Sequence, residues 1–144
     1  MPVVIWMLVI FTASSDLMSA EHTSRFIGPF LRWFAPTVSA ATIVAVQFFV
    51  RKMAHLTEYA VLAALLCRAL RGGFTALTNM RIAAGAFVAA AAFAASDEFH
   101  QSFVASRTAS PYDVMIDVCG AATGLLIYWM ARRPVDRTAG AKVL

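Results

Sequence analysis

Apolar runs recur at four places along the chain, each closed by a polar or turn-forming segment, and this pattern predicts four helices. The first run, "PVVIWMLVIFTASS" from Pro2 to Ser15, falls slightly short of the ~17 residues needed to cross a bilayer. Its polar end at Ser14, Ser15 and Asp16 therefore belongs in protein or water. The second helix is predicted over about 53–70, "MAHLTEYAVLAALLCRAL", closed by the turn "RGGF" at Arg71 to Phe74. The third is predicted over about 82–103 and the fourth over about 112–131. In "SPYD", Ser110 stands as N-cap of the fourth helix, Pro111 at its first position and Asp113 at its third, the arrangement of a capping box.

Two stretches fit none of these helices. "RFIGPFLRWFAP" is rich in Phe, Trp, Arg and Pro, as expected of a segment lying along lipid headgroups. "VSAATIVAVQFFV", residues 38–50, is apolar but too short to cross, and it merges with the second helix through Arg51 and Lys52. The expected fold is all-α: a four-helix transmembrane bundle with an interfacial or re-entrant segment between the first and second helices.

Composition moves the apolar runs from a soluble core into lipid. Hydrophobic residues make up 60% of the chain and charged residues 14%, outside the balance of a soluble domain, so lipid is the expected outer solvent. Residues 1–131 are expected to form one membrane domain, with 132–144 as a cytoplasmic tail. The net charge of +4 does not argue for nucleic acid, because the basic residues sit singly or in pairs at the ends of apolar runs. The first helix lacks the basic start of a signal peptide, and Met18 spoils "LMSA" as a cleavage site, so it reads as retained.

If four helices alternate across the membrane, the end of the first, the start of the second, the end of the third and the start of the fourth share one side. Seven of the eight acids fall there (Asp16, Glu21, Glu58, Asp97, Glu98, Asp113 and Asp117), together with His22, His55 and His100. The opposite side carries Arg68, Arg71 and Arg81 in one short loop, then Arg132, Arg133, Arg137 and Lys142, seven basic residues against the five (Arg25, Arg32, Arg51, Lys52 and Arg107) spread over longer segments of the acidic side. The basic side is expected to be cytoplasmic, with both termini there and the acidic side facing out of a bacterial inner membrane.

At ~100° per residue, Lys52, His55, Glu58 and Tyr59 share one arc of the second helix, and Asp97, Glu98, His100 and Gln101 cover a broader arc of the third. Asp113, Asp117, Gly120 and Gly124 form a narrow stripe on the fourth, where the two glycines let a neighbouring helix approach closely. A charge at mid-bilayer costs at least ~2.5 kcal/mol, so groups this dense must face one another or a wet pocket.

"RKMAHLTEYAVLAALLCRAL" together with "SDEFHQSFVASRTASPYDVMIDVCGAATG" resembles the VanZ-like family of small bacterial membrane proteins, named for a member associated with low-level teicoplanin resistance. The resemblance covers about residues 50–130 and rests on K-x-x-H-x-x-E-Y, D-E-x-H-Q and R-x(5)-D patterns. It implies site positions at Lys52, His55, Glu58, Tyr59, Asp97, Glu98, His100, Gln101, Arg107, Asp113, Gly120 and Gly124. Three features depart from the family pattern: "VAS" precedes Arg107 where a Pro-Gly turn is frequent, Leu56 replaces an aromatic, and Asp117 replaces an asparagine, adding an acid to the site.

The chemistry of these residues supports three readings. In the first, Lys52 and Arg107, with Gln101 and Tyr59, hold the phosphate or pyrophosphate of an anionic lipid or a lipid-linked cell-wall intermediate, affecting glycopeptide sensitivity. The bland alternative has Lys52 snorkelling and Arg107 paired with Asp113 or Asp97. In the second reading Glu98, His100, His55 or Asp117 serves as acid or base in a hydrolase or transferase acting on lipid headgroups, supported by Glu58, Asp97 and Asp113. A divalent metal on His55, Glu58, Glu98 and His100 is its weaker variant, without an HExxH or Cys-rich signature, and no other cofactor is expected. The third reading is a structural membrane subunit whose polar cluster only locks the helices. Membrane lipids are the expected partners in all three.

Overall fold

The computed structural model describes residues 1–15, 20–74, 77–104 and 109–132, with backbone alone over 20–24. Five helices follow one another: α1 (Pro2–Ser14), α2 (Ala20–Phe34), α3 (Ala40–Gly73), α4 (Asn79–Gln101) and α5 (Pro111–Ala131). No strand occurs among the described residues. Helices α3, α4 and α5 are each long and apolar enough to cross a membrane, and α1 is a shorter apolar helix.

The largest difference from the sequence expectation lies in α3. Residues 38–50 do not form a separate interfacial or re-entrant element; from Ala40 they continue into the second predicted helix as one 34-residue helix. Arg51 and Lys52 interrupt the apolar run but not the backbone, because both are good helix formers and neither Gly nor Pro occurs between Ala40 and Arg71. Ser39 starts the helix, its Oγ accepting from Thr42 N–H at 3.1 Å. The segment expected along the headgroups becomes α2, a fifth helix that holds Pro29 internally and packs on the first part of α3. Gly28 makes that contact, facing Ile43.

Helices α3 and α5 form the closest pair. A methyl group added at Gly120 would overlap the carbonyl of Leu56, and one at Gly124 that of Ala60. Lys52 meets Asp113, His55 meets Asp117, and these glycine contacts follow in the same order along both chains, so α3 and α5 run parallel. Helix α4 packs against both with Ala86, Ala90 and Ala94 buried. Helix α1 leans on α3 and α4, burying Ile10 and donating from Trp6 Nε1 to the Glu58 carbonyl at 2.9 Å.

The start of α5 departs from a reciprocal capping box. Ser110 caps it, accepting at Oγ from Tyr112 N–H and at its carbonyl from Asp113 N–H. The Asp113 carboxylate does not return to Ser110 N–H, which donates instead to Glu98 of α4. Asp113 is thereby available to Lys52. At the other end of the bundle, Arg71 stacks over Trp129 and donates to Asn79, and Arg132 lies over Tyr128.

Candidate functional site

Lys52, His55 and Tyr59 recur at three- and four-residue steps, so they stand on one stripe of α3. Asp113 and Asp117 do the same on α5, and the parallel register brings the two stripes together. At the rim, Lys52 Nζ donates to Asp113 Oδ1, with the side chains 23% and 14% exposed, and Lys52 lies over the Phe48 ring. Just below, His55 Nδ1 stands 3.2 Å from Asp117 Oδ1, both residues buried, within ion-pair range but without hydrogen-bond alignment.

The other wall comes from α4 and α1. Ser14 Oγ donates to Asp97 Oδ2 at 2.5 Å, and Gln101 Nε2 donates to the same oxygen at 3.1 Å and to Ser14 Oγ at 3.3 Å. Glu98 Oε1 accepts from Ser110 N–H, tying the end of α4 to the start of α5.

Five buried polar atoms in this layer make no well-aligned hydrogen bond within the protein, namely His55 Nδ1, Tyr59 Oη, Asp97 Oδ1, Glu98 Oε2 and Asp117 Oδ1, although His55 and Asp117 face each other as an ion pair and Tyr59 neighbours Asp97. Each such atom costs roughly 1–3 kcal/mol when left without any partner. The protein thus gathers carboxylate oxygens, an imidazole and a hydroxyl in one buried layer beneath a partly exposed ion pair. The layer occupies one end of the bundle only: the core around it, at Leu62, Ala63, Cys67, Ala86, Ala90 and Leu125, offers no carboxylate, imidazole or amide.

The expected site residues divide in a way the sequence did not specify. Of the four assigned to a headgroup, Lys52 reaches the rim and is paired there, Gln101 is buried with its amide committed to Ser14 and Asp97, and Tyr59 is fully buried. Arg107 lies outside the described residues, as do Asp16 and the side chains of Glu21 and His22. Among the acid–base candidates, His55 and Asp117 meet each other, Glu98 serves the start of α5, and His100 stacks on Phe11 of α1 with ring centroids 4.4 Å apart. Glu58 is half-buried on α3. Among the described residues no three His, Cys, Asp or Glu side chains gather as metal ligands, so His55, Glu58, Glu98 and His100 are not assembled into such a set. Sequence reasoning did not assign Ser14 to the site; its only signal was a polar residue closing an apolar helix.

Three helices of spanning length around a buried polar layer define a helical membrane protein. The sequence model of the VanZ/LLP1 family matches residues 1–132, and the chain belongs to that family. The match extends beyond the 50–130 stretch that carried the resemblance and takes in α1 and α2. No curated protein and no solved structure matches the chain.

Proposed function

We propose that this VanZ-like membrane protein recognises the head of an anionic lipid, or of a lipid-linked cell-wall intermediate, at the extracytoplasmic surface of a bacterial inner membrane, and through it affects glycopeptide sensitivity. The observation that carries the reading is the partly exposed Lys52–Asp113 pair standing over a buried layer of polar atoms that the protein's own hydrogen bonds do not fully satisfy. A phosphate at the rim competes with Asp113 for Lys52, since charge-assisted hydrogen bonds to phosphate match those to carboxylate. Hydroxyl or amide groups beside that phosphate, directly or through water, satisfy Tyr59 and the carboxylate oxygens without a well-aligned hydrogen bond. In this reading α1, α3, α4 and α5 form the four-helix bundle, with α1 not reaching fully across. Its 13 residues span only about 20 Å of a ~30 Å hydrocarbon core, which suits Ser14 ending below the surface against Asp97. The end bearing Arg68, Arg71, Arg81 and Arg132 is cytoplasmic, and so are both termini.

A second reading has its own observation. His55 and Asp117, buried 3.2 Å apart between Lys52 and Tyr59, form a pair suited to moving a proton, which favours a hydrolase or transferase acting on the same headgroup. A purely structural cluster accounts less well for the site, because locking helices together calls for well-aligned polar pairs, and Glu98 Oε2 in particular is buried without one.

Lipid analysis of the purified protein tests the proposal, with Lys52→Ala as the comparison. The expected result is an anionic lipid enriched over the bulk membrane in the wild type and reduced per protein in the variant. Equal lipid content in two monodisperse preparations contradicts it.

A further inference from the structure

Helix α3 extends well beyond the bundle. Lys52 already meets the third residue of α5, so residues 40–49 overhang the start of α5 by about 15 Å, with α2 packed along α3. Between α2 and this overhang lies an open-sided cleft of ≈ 310 Å³. Gly28, Pro29, Ala40, Ile43 and Val44 line one part of it with carbon, and Arg32 and Gln47 line the rest, so that its surface is about equally polar and apolar. It sits on residues separate from the buried polar layer.

The surroundings narrow what fits there. From Arg25 to Arg51 the chain contains no acid and three cations, Arg25, Arg32 and Arg51, and Arg32 forms no ion pair among the described residues. Around the cleft Phe26, Phe30, Trp33 and Phe34 are all exposed by more than half. Bare aromatics beside an arginine that is unpaired among the described residues are the composition of a segment lying in a lipid interface. A helix is about 10–12 Å across with its side chains and does not enter a cleft of this size, whereas part of one hydrocarbon chain does. The volume lies at the lower limit of the roughly 300–1,000 Å³ typical of ligand pockets.

We propose that the α2–α3 cleft is a second lipid site, its carbon-lined part taking part of one hydrocarbon chain and Arg32 pairing with the phosphate at the end of that chain. The inference rests on the lipid reading above and deepens it by adding a contact independent of Lys52. Arginine suits the role because its planar fork meets two phosphate oxygens at once.

The test uses the full chain in amphipol and dodecyl phosphate carrying a diazirine near the end of its chain, with crosslinks located by peptide mass spectrometry. The expected labels fall on the cleft walls of α2 and α3. Excess dodecyl phosphate competes with labelling; inorganic phosphate and dodecanol at the same concentration do not, which separates a lipid phosphate from a free one. Arg32→Ala lowers cleft labelling about tenfold, the usual worth of one charge-assisted contact. Val44→Trp, which fills the cleft from an exposed position, abolishes it, and Lys52→Ala leaves it unchanged. Unchanged labelling in both Arg32→Ala and Val44→Trp overturns the cleft site. If Lys52→Ala still lowers copurified anionic lipid in that case, the rim reading stands and only the cleft falls; if it does not, both fall. Equal competition by inorganic phosphate overturns the lipid assignment. So does a copurifying protein lost from Val44→Trp while dodecyl phosphate labelling persists.

Discussion

His55 and Asp117, buried 3.2 Å apart on different helices, are held together by the glycine contact one step further along the same two helices. Leu56, the residue after His55, presents its carbonyl to Gly120, three residues beyond Asp117. The distance between the two polar side chains is thus set by backbone contact. Anything that widens the α3–α5 crossing opens the polar layer with it.

Gly120→Ala and Gly124→Ala are therefore expected to destabilise the protein by about 1–3 kcal/mol or more each, because the added methyl meets backbone that cannot rotate away. Gly85→Ala serves as the contrast, since its nearest neighbour is the flexible end of Leu70 at 3.6 Å. Thermal unfolding in detergent separates them; equal melting temperatures for Gly85→Ala and Gly124→Ala contradict the account.

The Lys52–Asp113 pair predicts a charge-swap rescue. Lys52→Asp leaves two carboxylates facing each other at a partly buried rim, and Asp113→Lys leaves two ammonium groups. The double variant restores one of each sign. Its stability is expected to exceed the sum of the single effects by about 0.5–3 kcal/mol, the range for residues in direct contact. Additive losses indicate that the two charges do not interact.

How far the sequence went can be read from particular residues. Ser110 and Pro111 marked the start of α5, because caps are local chemistry, whereas the turn expected at Arg71 to Phe74 proved helical as far as Gly73, with Phe74 as the C-cap. The continuity of α3 through Arg51 and Lys52 was not legible, since hydropathy records the charge pair as a boundary while the helix backbone does not. Helical spacing groups Lys52, His55, Glu58 and Tyr59 on one arc, but which of them meets Asp113 and which Asp117 depends on axial register. That register is fixed by the glycine contacts in space. The Ser14–Asp97 bond joins residues 83 apart and follows from how α1 leans on α4, which no local pattern contains. Glu98 looked like a free acid for the same reason: its acceptor role appears only once the chain has returned from α4 to Ser110.

That role of Glu98 predicts a graded series. Glu98→Gln retains an oxygen to accept from Ser110 N–H and is expected to cost under about 1 kcal/mol, while Glu98→Ala strands that N–H and costs roughly 1–3 kcal/mol. Hydrogen exchange at Ser110 reports the difference directly, speeding up in Glu98→Ala before the centre of α5 is affected. Identical exchange in wild type and Glu98→Ala contradicts the bond.

The central claim is that the incompletely satisfied groups beneath the Lys52–Asp113 rim serve a bound lipid head, and Tyr59 tests it most directly. Its hydroxyl is fully buried beside Asp97 without a well-aligned hydrogen bond, so Tyr59→Phe removes one oxygen and leaves the ring packing in place. Native mass spectrometry of protein released from nanodiscs holding an anionic and a zwitterionic lipid reads the consequence. The account predicts that wild type retains an anionic lipid that Tyr59→Phe and Lys52→Ala each retain about fivefold to tenfold less, with Tyr59→Phe remaining folded and monodisperse. Equal retention of the anionic lipid by all three proteins contradicts it, and the polar layer is then a structural feature of the bundle.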